Sequence, residues 1–161
     1  MGTQDEATFG LIPLIKRGWA RRGSHPFVKI NHKNVCTNVF GARSSKSFVF
    51  SFTKKKRQPQ FIRFLEKLRR RWGKFLLFVD NAKAHGGAMV KDYLQRHSKS
   101  VKLEYFPKCS PEENPTEQCW KPGRSALANR VLPSLNAAKY HLSKTFDNTK
   151  ELPKMFYYLR D

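Results

Sequence analysis

Lys74-Phe75-Leu76-Leu77-Phe78-Val79-Asp80 is the stretch whose reading decides the fold. Five consecutive apolar residues stand between a lysine and an aspartate. The run is too short for a helix and shows no polar alternation, the pattern of a strand covered on both faces. Such strands occupy the middle of layered α/β sheets. An acid at the C-terminal end of one stands where ligands gather in an open α/β sheet.

The flanks agree with this reading. Upstream, residues 60–72 place Phe61, Phe64, Leu65 and Leu68 on one helical face and Arg63, Lys67, Arg70 and Arg71 on the other, and Gly73 ends the pattern. Before that helix, residues 35–40 and 47–52 are β-branched and aromatic, with a Gly-Ala-Arg-Ser-Ser link at 41–45 between them, and read as paired strands. Residues 8–22 read as an extended hairpin punctuated by Gly18 and Gly23. Downstream the pattern predicts a helix over 87–97, a strand over 101–106 and a loop over 107–115. Helical segments follow at about 115–130, 134–146 and 148–160. A β-meander followed by a βαβ unit is an α/β layered sheet with helices on its faces.

The chain has 161 residues, enough for one domain with a real core. It carries 32 Lys+Arg against 12 Asp+Glu, a formal charge of +20. Such a field directs the protein to a polyanion, and nucleic acid binding of this kind is steeply salt-dependent. With 39% hydrophobic and 13% aromatic residues, it is too apolar for a disordered basic tail. No run approaches the roughly 18 apolar residues of a membrane span, and the start lacks the form of a signal peptide. Three cysteines, Cys36, Cys109 and Cys119, without CxxC spacing exclude a disulfide framework and a zinc knuckle and point to free thiols in a reducing cytoplasm.

Acids are scarce, so their places are informative. Asp5 and Glu6 stand together near the start, Asp80 ends the apolar strand, and Glu112, Glu113 and Glu117 lie close together. Carboxylates repel a phosphate backbone unless they hold metal ions that face it. Pro115 suits the first turn of a helix and Asn114 its N-cap, which sets Glu117 at a helix start. Packed beside the apolar strand, that helix brings Glu117 to Asp80. Converging carboxylates suit Mg²⁺ or Mn²⁺, and a pair of such ions supports phosphoryl transfer. Glu6 competes with Asp5 for the inward position. Trp120 reads as a core anchor, and His85 as a loop histidine or a residue lining the site.

Two segments carry a family resemblance. Phe78-Val-Asp80-Asn81-Ala-Lys-Ala-His85 is followed by Ser110-Pro111-Glu112-Glu113-Asn114-Pro115-Thr-Glu117-Gln-Cys-Trp120. Together they resemble the catalytic domain of IS630/Tc1-mariner superfamily transposases, and Asp5-Glu6 with residues 18–23 is similar to that family's opening segment. The resemblance implies a single RNase H-like DDE catalytic domain over residues 1–161: a mixed five-stranded sheet flanked by helices, with a C-terminal helical extension over 134–161. It implies Asp5, Asp80 and Glu117 as the catalytic and metal-holding triad, with 36 residues between the last two. Asn81, His85 and Asn114 line the site, and two Mg²⁺ or Mn²⁺ ions serve it. The implied reaction is cleavage of transposon-end phosphodiesters, then transfer of the freed 3′-hydroxyl into target DNA at a TA dinucleotide. The implied partners are terminal inverted repeats, target DNA and a second copy of the chain on DNA, in the cytoplasm at the nucleoid. Arg17, Trp19, Arg21 and Arg22, and the run Lys54, Lys55, Lys56 and Arg57, are candidate DNA contacts.

Three departures from the family shape the remaining expectations. Only four residues precede Asp5, which predicts a stunted first strand, and the family's helix-turn-helix region is absent before it. Lys121-Pro122-Gly123 predicts a helix break five residues after Glu117. Glu113 replaces an apolar loop residue. Two rival readings therefore stand beside the transposase: a catalytically decayed, basic DNA-binding remnant, and another RNase H-like nuclease.

Overall fold

The computed structural model describes residues 1–12, 14–29, 32–107 and 114–148. Five strands are present: β1 (Gly2–Gly10), β2 (Cys36–Ser44), β3 (Phe48–Thr53), β4 (Phe75–Val79) and β5 (Val101–Tyr105). The helices are α1 (Gln58–Trp72), α2 (Ala88–Arg96), a 3-10 helix (Pro115–Cys119), α3 (Trp120–Leu127) and α4 (Leu135–Asp147). The strands form one mixed sheet in the order β3-β2-β1-β4-β5, the RNase H-like arrangement expected from the sequence. The β1/β2 and β2/β3 pairs are antiparallel, and the β1/β4 and β4/β5 pairs are parallel.

Each face of the sheet has its own core. On one face Phe40, Val49, Leu77 and Val79 meet Phe61, Phe64, Leu65 and Leu68 of α1 and Val90 and Tyr93 of α2. On the other, Ala7, Phe9 and Val39 meet Trp120 and Leu127 of α3 and Leu142 and Phe146 of α4. Burying one such Phe or Leu side chain contributes about 1.5–3 kcal/mol. The apolar stretch at the centre of the fold alternates in detail. Phe75, Leu77 and Val79 are buried under α1 and α2, while Leu76 and Phe78 are half-buried on the other face. Pro59 lies in the first turn of α1, where a missing N–H costs nothing, and Gly73 caps its end at φ 70°.

Three expectations are corrected. The first strand is not stunted: β1 has nine residues, and all nine pair with β2, from Gly2↔Ser44 to Gly10↔Cys36. Its weakly β-forming sequence is held from both sides by neighbouring strands. Conversely, the predicted hairpin over 8–22 is absent, and the described residues from 14 to 29 hold no strand or helix. That stretch is clipped down by Asn129, whose amide donates to the Lys16 carbonyl and accepts from the Lys16 N–H, both at 2.9 Å. Finally, the helix does not break at Pro122. The 3-10 helix gives way to α3 at Trp120, so Pro122 falls in the first turn of α3, where its lost hydrogen bond is not needed. Gly123 beside it packs against Phe146, with room for no side chain: an added Cβ would lie 2.8 Å from that ring. The helix expected at 148–160 and the loop acids Glu112 and Glu113 lie outside the described residues, as does Cys109. Cys36 and Cys119 are free thiols.

Candidate active site

Asp5 sits mid-strand in the central strand β1, on the face covered by α3 and α4. Its Oδ2 accepts a 2.6 Å hydrogen bond from the indole N–H of Trp120. Trp120 reaches it by lying across β2 at Gly41, the residue in register with Asp5. A methyl group there would collide with the Trp120 and Phe48 rings. Gly41 is therefore a site-building residue that the sequence reading missed, because its role depends on strand register.

Asp80 follows the last residue of β4, with its carboxyl largely exposed. Its Oδ1 accepts from the Ala82 N–H at 3.1 Å, a local turn. Asn81 donates from its amide to the Phe106 carbonyl at 2.9 Å, which anchors the loop to the exit of β5. Glu117 projects exposed from the 3-10 helix. That helix is docked onto β1 by two side chains. Asn114 caps it through the Thr116 N–H at 3.1 Å and donates to the Gln4 carbonyl at 2.9 Å. Thr116 donates its hydroxyl to the Thr3 carbonyl at 2.9 Å. The predicted N-cap role of Asn114 is present, and its second bond fixes Glu117 beside the strand carrying Asp5.

The electrostatics record the convergence. Burial, first, pushes the Asp5 carboxyl up to about 6 from its ordinary 3.8. The Trp120 and Glu6 N–H bonds oppose the rise, while the charges of Glu117 and Asp80 add to it. Asp80 is held below the usual carboxylate range, chiefly by its bond to His85, with the Ala82 N–H and the Lys56 charge helping. Asp5 on β1 thus lies within electrostatic reach of Asp80 after β4 and of Glu117 on the 3-10 helix. Among the described residues, no three His, Cys, Asp or Glu side chains are drawn together tightly enough to form a ready metal cage. The donor chemistry of the three candidate acids, carboxylate oxygens only, is the kind a hard divalent cation takes.

His85 is buried to 1% exposure. Its Nδ1 lies 2.7 Å from Asp80 Oδ1, and its Nε2 lies 3.2 Å from Glu6 Oε1. Burial pulls the imidazole down, but the bonds to Asp80 and Glu6 outweigh it and raise it to about 9. Glu6 points to the α1 side of the sheet, opposite to Asp5, and its other oxygen is 3.7 Å from Lys56 Nζ. Strand alternation sends Asp5 and Glu6 to opposite faces of the sheet. Of the candidate DNA contacts, Arg17, Trp19, Arg21 and Arg22 are exposed on the irregular stretch after β1, and Trp19 is wholly so. Lys54, Lys55, Lys56 and Arg57 are exposed at the entry to α1.

A sequence profile described as DDE superfamily endonuclease matches residues 2–147. The chain belongs to this family. No curated protein sequence matches it. Among solved structures, the Mos1 mariner paired-end complex with Mn aligns over 98% of this chain and 50% of that one, at 18% identity and TM-score 0.73. The Mos1 paired-end complex with Mg aligns over 95% and 50%, at 19% identity and TM-score 0.71. The catalytic domain of Mos1 mariner transposase aligns over 98% and 73%, at 15% identity and TM-score 0.68. These likenesses establish the RNase H-like fold, and this DDE chain spans about half the length of the Mos1 chains in the two complexes. No helix among the described residues is long and apolar enough to cross a membrane.

Proposed function

We propose that this chain is the catalytic domain of an IS630/Tc1-mariner-type DDE transposase. It cuts the phosphodiester at a transposon end and joins the freed 3′-hydroxyl to target DNA. What supports the reading is that Asp5, Asp80 and Glu117 come from three separate elements and that the charges of Glu117 and Asp80 add to the burial that raises Asp5 to about 6. In this reading Asp5, Asp80 and Glu117 hold two Mg²⁺ or Mn²⁺ ions. Such ions, when bound, lower the pKa of water and stabilise a leaving phosphate oxygen. Asp5 must shed its proton to serve, which it does above pH about 6. Trp120 keeps its carboxylate oriented, and the docked 3-10 helix keeps Glu117 within reach.

The substrate side rests on charge. A formal +20, with Lys54, Lys55, Lys56 and Arg57 exposed at α1 and Arg17, Trp19, Arg21 and Arg22 exposed after β1, suits a DNA backbone. Terminal inverted repeats, a TA-containing target and pairing of two copies on DNA at the nucleoid complete the proposal. A nine-residue β1 and an unbroken α3 favour this enzyme over a decayed DNA-binding remnant, since the two defects behind that rival are not found. The test is Asp80→Asn with Mn²⁺ and end-containing DNA. Strand cleavage is expected to vanish while the circular dichroism spectrum stays that of the parent. Parent-like cleavage by the variant refutes the assignment.

A further inference from the structure

We infer that Glu6 and His85 form a positioning pair that holds Asp80 for metal binding, with Glu6 excluded from the ligand set itself. The inference rests on the metal-site reading above and adds to it two residues that touch neither metal nor DNA.

The geometry is specific. His85 is the only one of the five histidines that is buried, and it lies on the α1 side of the sheet between two acids. Nδ1 faces Asp80 Oδ1 at 2.7 Å and the Asp80 carbonyl at 3.1 Å. Nε2 faces Glu6 Oε1 at 3.2 Å. The ring is fixed against Phe61, with centroids 4.3 Å apart, and the backbone carbonyl of His85 accepts from the Tyr105 hydroxyl at 3.1 Å. The imidazole therefore has little freedom to turn. Asp80 needs such a hold: its carboxyl is 58% exposed and follows the last strand residue, so packing alone does not restrain it. With Oδ1 bonded to both Ala82 and His85, Oδ2 takes neither of those bonds and remains for a cation.

Glu6 completes the arrangement from the central strand. Because side chains alternate along β1, Asp5 serves the α3 side and Glu6 the α1 side. Two adjacent acids thereby act on the same site from opposite faces, Asp5 directly and Glu6 through His85. A polar group that orients a metal ligand governs metal affinity almost as the ligand does, and losing it costs about 10–100-fold.

The experiment measures Mn²⁺ affinity by electron paramagnetic resonance of the free ion, for the whole chain well below its melting temperature. Glu6→Ala and His85→Phe are expected to weaken binding by about 10-fold or more, the phenylalanine keeping a ring against Phe61 but removing both N–H groups. Glu6→Gln, which keeps the acceptor oxygen, is expected to stay within about 3-fold of the parent, while Glu6→Leu, which keeps bulk without an acceptor, is expected to weaken binding like Glu6→Ala, a difference that a packing role does not predict. Asp80→Asn serves as the reference. Parent-like affinity in Glu6→Ala and His85→Phe, with Asp80→Asn impaired, overturns the positioning pair and leaves the metal site standing. Parent-like affinity in Asp80→Asn, or no Mn²⁺ binding by the parent, overturns the metal site and the pair with it.

Discussion

Asp5→Asn should stabilise the metal-free protein while removing a ligand of the proposed metal site. The Asp5 carboxyl is raised from 3.8 to about 6, first by burial and then by the charges of Glu117 and Asp80. A carboxyl shifted by that amount holds its proton about 3 kcal/mol more tightly in the folded chain than in the unfolded one. Its sign follows: the folded state binds more protons between pH 3.8 and 6, so stability falls as pH rises through that window, and the full penalty is present above it. Asparagine is neutral at every pH and keeps an oxygen for the Trp120 indole N–H. In chelator at pH 8 the variant is therefore expected to exceed the parent by up to about 3 kcal/mol, or roughly 6–12 °C in melting temperature for a domain of this size. At pH 4 the two should melt together. Mn²⁺ at about 1,000 times Kd should reverse the order, because binding then adds about 4.1 kcal/mol to the parent alone. Urea and thermal unfolding from pH 4 to 8, with and without Mn²⁺, give the complete grid. An Asp5→Asn protein no more stable than the parent at pH 8, or an advantage that persists unchanged at pH 4, refutes the reasoning.

Two further outcomes follow from the packing and the charge. Gly41→Ala drives a methyl group into the Trp120 and Phe48 rings, an overpacking cost of about 1–3 kcal/mol by chemical denaturation. It also moves the indole off Asp5, so the pH midpoint of Mn²⁺ binding should rise, and an unmoved midpoint would mean that Trp120 does not orient Asp5. Replacing Lys54, Lys55, Lys56 and Arg57 with glutamine should flatten the salt dependence of DNA binding. The log–log slope should shrink by about 0.9 for each phosphate that is no longer neutralised, and an unchanged slope removes this run from the DNA interface.

What can be read from the sequence is set by local pattern. The strand at 75–79 is legible to the residue because five apolar residues between breakers leave no other element. The amphipathic helix over 60–72 is two residues longer at its start, since Pro59 fits a first turn. The candidate triad can be named from the sequence only through the resemblance of the segments holding Asp80 and Glu117 to the family's. The length of β1 is not legible, because Gly2–Gly10 owes its extended form to β2 and β4 rather than to β-branched residues. Pro122 misleads because its cost depends on whether it falls inside a helix or in its first turn, and the change from 3-10 to α geometry at Trp120 has no sequence signal. The bonds from His85 to Glu6 and from Trp120 to Asp5 span 79 and 115 positions, far beyond what spacing can show.

Those long spans also order the birth of the molecule. β1 emerges early in synthesis, yet the indole that orients Asp5 and the side chains of Asn114 and Thr116 that grip β1 belong to the last third of the sheet-and-helix unit. Contacts of such separation close late in folding. An unfinished chain on the ribosome carries its first acid in place but lacks Glu117 and Trp120. The surroundings of Asp5 are therefore complete only once translation has passed Trp120, whatever part of the sheet has formed before.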